Sequence, residues 1–238
     1  MSIAKRMMSA FEGSDVGYLV TRVKGKGTKG KTEAEYRTIH GMVTEGMINE
    51  HLEGKSGIGI VPIRKDVCKF GVIDIDDYGL DHKALQNNIH RLKLPLVHCR
   101  SKSGGADLCL FVNDWESCAV VRELLTEMRS ALGFSGSGDL FPAQEMVNVD
   151  DQQIGNGINI PYFNSDMPTR HAYNKKLEAL EVEQFLDLVE ASRVSMASVQ
   201  EIKFSGEKEV LSDGPICLQI LLSLSVQSIS PQGVLQQS

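Results

Sequence analysis

The stretch FGVIDIDDY, residues 70–78, constrains this chain more than any other. Side chains alternate faces along a β-strand, so Asp74 and Asp76 project together from one side while Ile73 and Ile75 pack into the core. Two neighbouring carboxylates repel unless something neutralises them. A divalent cation does so with oxygen ligands, in near-octahedral geometry for Mg2+ or Mn2+. The alternative puts both acids on a solvated sheet face or in the turn before Tyr78. Asp77 points the opposite way and stands outside the pair.

The rest of the chain sets the context for that strand. At 238 residues and 42% hydrophobic content it has the length and composition for one large domain or two small ones, which excludes general disorder. A formal net charge of −6 excludes a generally basic nucleic-acid binder and leaves room for a local basic patch. Cys68, Cys99, Cys109, Cys118 and Cys217 form no CxxC pair and no zinc spacing, and read as reduced, mostly buried thiols. The N-terminal MSIAKRMMSAFEGSD has no apolar h-region, and no stretch reaches the ~20 apolar residues of a membrane span. The expectation is a cytoplasmic protein with no membrane partner.

Periodicity and turn residues place the elements. GYLVTRV alternates as a strand from Gly17 to Val23, Thr44 to Leu52 reads as a helix, and GKSGIGIVPIR supplies a glycine turn and an apolar strand. After the strand CKFGVIDID, Asp81 caps a helix whose Ala84, Leu85, Ile89 and Leu92 share one face, and Pro95 ends it. LVHCRSK and ADLCLFV flank the turn SGG, WESCAVVRELLTEMRSALG is a second helix closed by Gly133, and GNGINIPYF is a short strand. LEALEVEQFLDLVEAS is an acidic amphipathic helix, and the chain beyond Ser212 is low in charge. This order predicts an α+β fold with helices on one face of a largely antiparallel sheet and a functional site on the other. The expected organisation is an N-terminal α/β module at 1–70, a palm at 71–165 and a helical extension at 166–238.

Three further segments carry candidate chemistry. In SKSGGAD, Gly104 and Gly105 let backbone amides approach a phosphate, with the Ser103 hydroxyl and the charges of Lys102 and Arg100 nearby; a plain hairpin also needs only Gly-Gly. Asp139 follows a glycine-serine turn and either completes a cluster with Asp74 and Asp76 or is an ordinary turn aspartate. Lys24, Lys26, Lys29 and Lys31 lie among glycines in a mobile hairpin tip, either a solvated loop or a clamp on nucleic-acid phosphates.

Taken in order and spacing, HLEGKSGIGIVPI, FGVIDIDDY, LPLVHCRSKSGGADLCLF, DLFPAQ and GNGINIPYF resemble the catalytic domain of the archaeo-eukaryotic primase superfamily. Among its members they are most similar to the primase-polymerases of phages and of TOTE conflict systems. The resemblance spans roughly residues 10–165, with a weaker continuation to about Gln219. It implies an RRM-like palm that joins nucleoside triphosphates on a DNA template with two metal ions, Mg2+ or Mn2+, and a helicase among its partners. By the same resemblance Asp74 and Asp76 match the DxD motif, Asp139 the third acid, Ser103 the serine of the nucleotide-binding motif, and Asn159, with Asn156, an asparagine that orients the nucleotide.

The chain departs from the pattern at three places. Where relatives read SKSGGAH, with the histidine reaching the phosphates of the incoming nucleotide, Asp107 stands here. Two unit charges 4 Å apart at an effective dielectric of ~20 cost about 4 kcal/mol, so weakened nucleotide binding is expected unless Asp107 is protonated, holds a cation, or yields the contact to Arg100 and Lys102. Ala143 replaces a frequent lysine, and the segment after SDGPICLQILLS is shorter than in relatives, which puts priming from two nucleotides in question. Two function classes follow: an active metal-dependent primase-polymerase, or a catalytically impaired module that binds single-stranded DNA or nucleotide. A two-metal nuclease is a third, with no separate water-activating His or Lys beside the acids.

Overall fold

The computed structural model describes residues 1–26 and 32–200. Lys29, Lys31, Cys217 and the segment after Ser212 lie outside the described residues, and Lys24 and Lys26 fall on the end of the first strand.

Local chemistry accounts for the elements. Helix α1 (Ile3–Ala10) begins at Ser2, whose hydroxyl accepts from the Lys5 N–H at 3.2 Å. Strands β1 (Gly17–Lys26) and β2 (Thr32–His40) form a hairpin, and α2 (Glu45–Leu52) starts at the Thr44 cap. Strands β3 (Gly57–Ile60) and β4 (Val67–Ile75) follow. Helix α3 (His82–Arg91) is capped by Asp81, which accepts from the N–H groups of Lys83 and Ala84, both at 2.9 Å, while His90 and Arg91 face the negative end of the helix dipole. The buried residues of α3 are Leu85, Gln86 and Ile89; Ala84, expected on the buried face, is exposed, and Gln86 takes a buried place because its amide meets a buried histidine. Strands β5 (Leu96–Arg100) and β6 (Ala106–Ser117) flank the SGG turn, and α4 (Cys118–Ala131), β7 (Asp139–Phe141), β8 (Ile158–Asn159), β9 (His171–Ala172), α5 (Val182–Ser192) and α6 (Met196–Gln200) complete the order.

The fold is α+β, and its strands form two antiparallel sheets. One has the order β2-β1-β3-β8 and the other β7-β4-β6-β5-β9. The first sheet thus takes β8 from residues 158–159, and the second takes β9 from 171–172.

The alternation of β4 separates two cores. Ile73 and Ile75, with Leu108 and Leu110 of β6, pack with Leu85 and Ile89 of α3 and Leu125 and Met128 of α4. On the other parity, Phe70, Val72, Cys109 and Phe111 join α1, α5 and Tyr18, Ile58 and Ile60 of the first sheet. Phe11 anchors this second core, edge-on to Phe70 at 5.3 Å and to Phe111 at 5.5 Å, and stacked on Phe185 at 6.2 Å. Phe111→Ala is expected to cost about 3–5 kcal/mol, read as a lowered denaturant midpoint; a midpoint equal to wild type contradicts this packing.

Cys68, Cys99, Cys109 and Cys118 are free and buried. Among the described residues no helix is long and apolar enough to cross a membrane.

Two buried histidines tie the elements together. His51 on α2 accepts from the Ile58 N–H through Nδ1 at 3.0 Å and donates through Nε2 to the Pro161 carbonyl at 2.9 Å. His98 on β5 stands with Nε2 3.0 Å from His82 and Nδ1 2.7 Å from the Gln86 amide. Burial pushes His51 down to about 4, against the pull of the Pro161 bond, and His98 down to about 3, helped by neighbouring His82. Both rings are neutral in the fold and charge on unfolding, so their contribution is complete above about 6.5 and is lost as pH falls toward 4 and 3. Urea midpoints are expected to drop between pH 7 and pH 4, with each ring contributing on the order of 3 kcal/mol. A flat profile in the wild type contradicts the assignment.

Candidate active site

Antiparallel register draws the acids into one row. Asp74 of β4 is the direct partner of Asp107 on β6 and of Asp139 on β7, and Asp107 is in turn opposite Cys99 on β5. All four lie on the parity of Val72 and Phe70, away from α3 and α4, at the end of the sheet where the apolar side chains stop. The close approach of the three strands depends on two glycines. A Cβ on Gly105 would meet the Ile75 carbonyl at 2.0 Å; one on Gly138, whose φ is +81°, would meet the Asp74 carbonyl at 2.5 Å.

Burial and mutual repulsion decide the protonation of this row. Asp107 is only 6% exposed. Its burial, then the charge of Asp74, raises it to about 7, while Arg170, with a guanidinium nitrogen 3.5 Å away, pulls it down. Asp74 is raised too, first by burial and then by the charge of Asp76, and a hydrogen bond with Asp107 partly offsets this. The two carboxyls form one coupled pair, both raised by burial and by neighbouring acids, and share a proton between them. Asp107 is therefore no free anion beside a ligand site: it is bonded to Asp74 on one side and paired with Arg170 on the other.

The remaining sequence candidates fall into two groups. Asp76 lies just past β4 and is exposed, as is Asp139. Asp77 turns to its own backbone, accepting from the Gly79 N–H at 2.9 Å. In the SKSGG turn, Ser103 meets the Ser101 hydroxyl at 3.2 Å, the Gly104 carbonyl accepts from His82 Nε2 at 2.8 Å, and His82 Nδ1 stands 3.0 Å from His98 Nε2. The turn is thus anchored to α3 and β5. Arg100 is not brought to the acid row: its register partners are Ala106 and His171, on the opposite parity from Asp107, and its guanidinium donates to the carbonyls of Ser101 and Thr169.

A cavity of about 260 Å³ opens beside the row, lined by Lys102, Arg170, Asn159, His51, Tyr36 and Phe163 among others. Asn159 accepts from the Thr21 hydroxyl at 3.2 Å there. Of the sequence candidates, the structure gathers Asp74, Asp107 and Asp139 in the row and Lys102 and Asn159 in the adjoining cavity. Arg170, which links the two, escaped the sequence reading. It stands alone in MPTRHAY with neither motif nor period, and only the pairing of β9 with β5 brings it to the site.

In kind, these donors suit a hard divalent ion, since every acid is a carboxylate and three come from directly paired strand positions. As placed, no three acidic, histidine or cysteine side chains among the described residues converge on one point, and Asp74 is bonded to Asp107 instead.

Comparison with solved structures finds the catalytic domain of primase RepB′ in complex with initiator DNA, 11% identical over 86% of this chain and 97% of that one, with a TM-score of 0.39. Primase RepB′ itself is 11% identical over 94% of this chain and 68% of that one, with a TM-score of 0.40. A search of curated proteins finds no match. The family profile described as "TOTE conflict system, Archaeo-Eukaryotic Primase domain" matches residues 11–202, which contain both sheets and the whole acid row, and the chain belongs to that family.

Proposed function

We propose that this chain is a template-directed nucleotidyltransferase, a DNA primase-polymerase, whose reaction takes place at the row formed by Asp139, Asp74 and Asp107. The observation that carries this reading is the register that aligns three carboxylates beside a cavity holding Lys102 and Arg170. Membership of a primase family supports it.

Asp74, Asp76 and Asp139 would hold Mg2+ or Mn2+. Such ions, when bound, lower the pKa of a primer 3′-hydroxyl and offset the charge on the triphosphate as pyrophosphate leaves. The chain's own residues do the rest. Lys102 and Arg170 take the triphosphate oxygens, and the SKSGG turn, anchored through His82, presents its amides to them. Asp107 holds Arg170 at the edge of the cavity, so the positive charge expected of a histidine at position 107 comes from Arg170, the residue before β9. Asn159 orients the nucleotide, and the 24–31 lysines hold DNA phosphates.

The test is primer extension on a primed single-stranded template with Mn2+ and four deoxynucleotides, comparing the wild type with Asp107→His and running a control without nucleotides. Extension by the wild type is the expected result; metal-dependent shortening of the primer without nucleotides would establish a nuclease instead. A second reading, a DNA- or nucleotide-binding module without catalysis, draws on the bond that holds Asp74 to Asp107. It takes first place if only Asp107→His extends the primer.

A further inference from the structure

The outer edge of β7 carries a second charged cavity, of about 360 Å³, which the proposed chemistry does not use. Its wall is made by Arg122, Thr126 and Arg129, which share one face of α4 at i, i+4 and i+7, by the 138–141 backbone, and by Asn156. Arg122 donates to the Pro142 carbonyl at 2.6 Å and Arg129 to the Gly138 carbonyl at 2.8 Å, so the two guanidinium groups grip the two ends of the strand that bears Asp139.

Holding a strand does not call for charge. Both acceptors are neutral carbonyls, and among the described residues neither arginine forms an ion pair. Arg129 Nε is buried with no hydrogen-bond partner in the protein, so the bond to the Gly138 carbonyl does not exhaust the donors of that guanidinium. Asp139 is the one carboxylate on this wall, set against two guanidinium charges. The balance favours an anion.

Spacing selects the kind of anion. Arg122 and Arg129 are two helical turns apart, about 10 Å along α4, the rise of about three nucleotides of one strand at ~3.4 Å each. One phosphate does not span that distance, whereas a chain of phosphodiesters does. We propose that Arg122 and Arg129 form a track for the backbone phosphates of a nucleic-acid strand running along the outer edge of β7, with its terminus at Asp139. This rests on the proposed polymerase reading for the direction of the strand, but not for the existence of the site.

The experiment uses the full chain with Arg122→Gln and Arg129→Gln. Glutamine keeps a donor for the backbone carbonyl and removes the charge, and Arg→Lys variants, which keep the charge, serve as a second set. Binding of a fluorescein-labelled primer–template is followed by anisotropy in EDTA across a salt series, and pyrophosphate binding by calorimetry. Each Gln variant is expected to bind DNA roughly fivefold more weakly and to lower the slope of log K against log salt by ~0.9, with the Lys variants close to wild type and the thermal midpoint preserved. Unchanged DNA affinity and slope, loss of pyrophosphate binding alone, or a wild type that binds no DNA overturns the proposal. Primer extension by the wild type, run alongside, separates the two claims. If the Gln variants lose DNA in a protein that does not extend primers, the track stands and the polymerase reading falls; if they keep it in a protein that does extend, only the track falls.

Discussion

Asp74→Ala is expected to reduce nucleotide addition by at least ~10³-fold, the scale on which an enzyme loses a group that acts on charge developing in the transition state. Asp74 is the hub of the row, the direct partner of both Asp107 and Asp139. The same substitution is expected to leave the thermal midpoint unchanged or higher. Burial and the charge of Asp76 hold the Asp74 carboxyl above the ordinary range, which means that its ionised form destabilises the fold and is kept for another purpose. Single-turnover primer extension together with a thermal melt reads both halves. Extension that survives would remove Asp74 from the chemistry, and a collapsed melt would make it a structural residue.

Arg170→Ala is expected to raise the KM for the incoming nucleotide by roughly 10- to 100-fold, the range of a charge-assisted hydrogen bond to a phosphate, with a smaller change in kcat. The geometry behind this is the position of Arg170 between buried Asp107, 3.5 Å away, and the cavity that it lines with Lys102. Arg170→Lys should recover part of the loss, because a point charge remains but the forked donor does not. Steady-state extension over a nucleotide series separates the two constants. An unchanged KM in Arg170→Ala would leave Asp107 with a purely structural ion pair and would place the triphosphate elsewhere.

Much of the fold was legible because its signals are local. The alternation in FGVIDIDDY, the Asp81 cap, the Gly133 stop after α4 and the SGG turn each depend on residues within a few positions of one another, and each stands in the fold; the start of α4 does not, because Trp115, Glu116 and Ser117, read as its first residues, continue β6 in its pairing with β4. Helix α1 was passed over because it is only eight residues long, and its burial depends on α5 and the second core. The division into two sheets was hidden for a related reason. Strands β8 and β9 are two residues each, too short to alternate, and exist through their partners β3 and β5.

The site followed the same divide. Asp74, Asp76 and Asp139 were visible as acids in a patterned context. That Asp107 would be opposite Asp74, and would answer to it and to Arg170, depends on cross-strand register, which no linear spacing displays. Arg122 and Arg129 read as ordinary polar positions of an amphipathic helix until the carbonyls of Gly138 and Pro142 come within their reach.

Strand β7 has three residues, and its parity alone decides that Asp139 faces the acids while Leu140 enters the helix-side core. A strand one residue out of step would send Leu140 to the acids and turn an aspartate toward Met128 and Leu125. What keeps it in step is the pairing with β4 and Gly138, whose φ of +81° and close approach to the Asp74 carbonyl leave no room for a side chain. The residues of the connection before Gly138 can change in number as well as in identity, because pairing and not loop length sets the parity. Sequences that share this fold and this chemistry should vary in that connection long before they vary at Gly138.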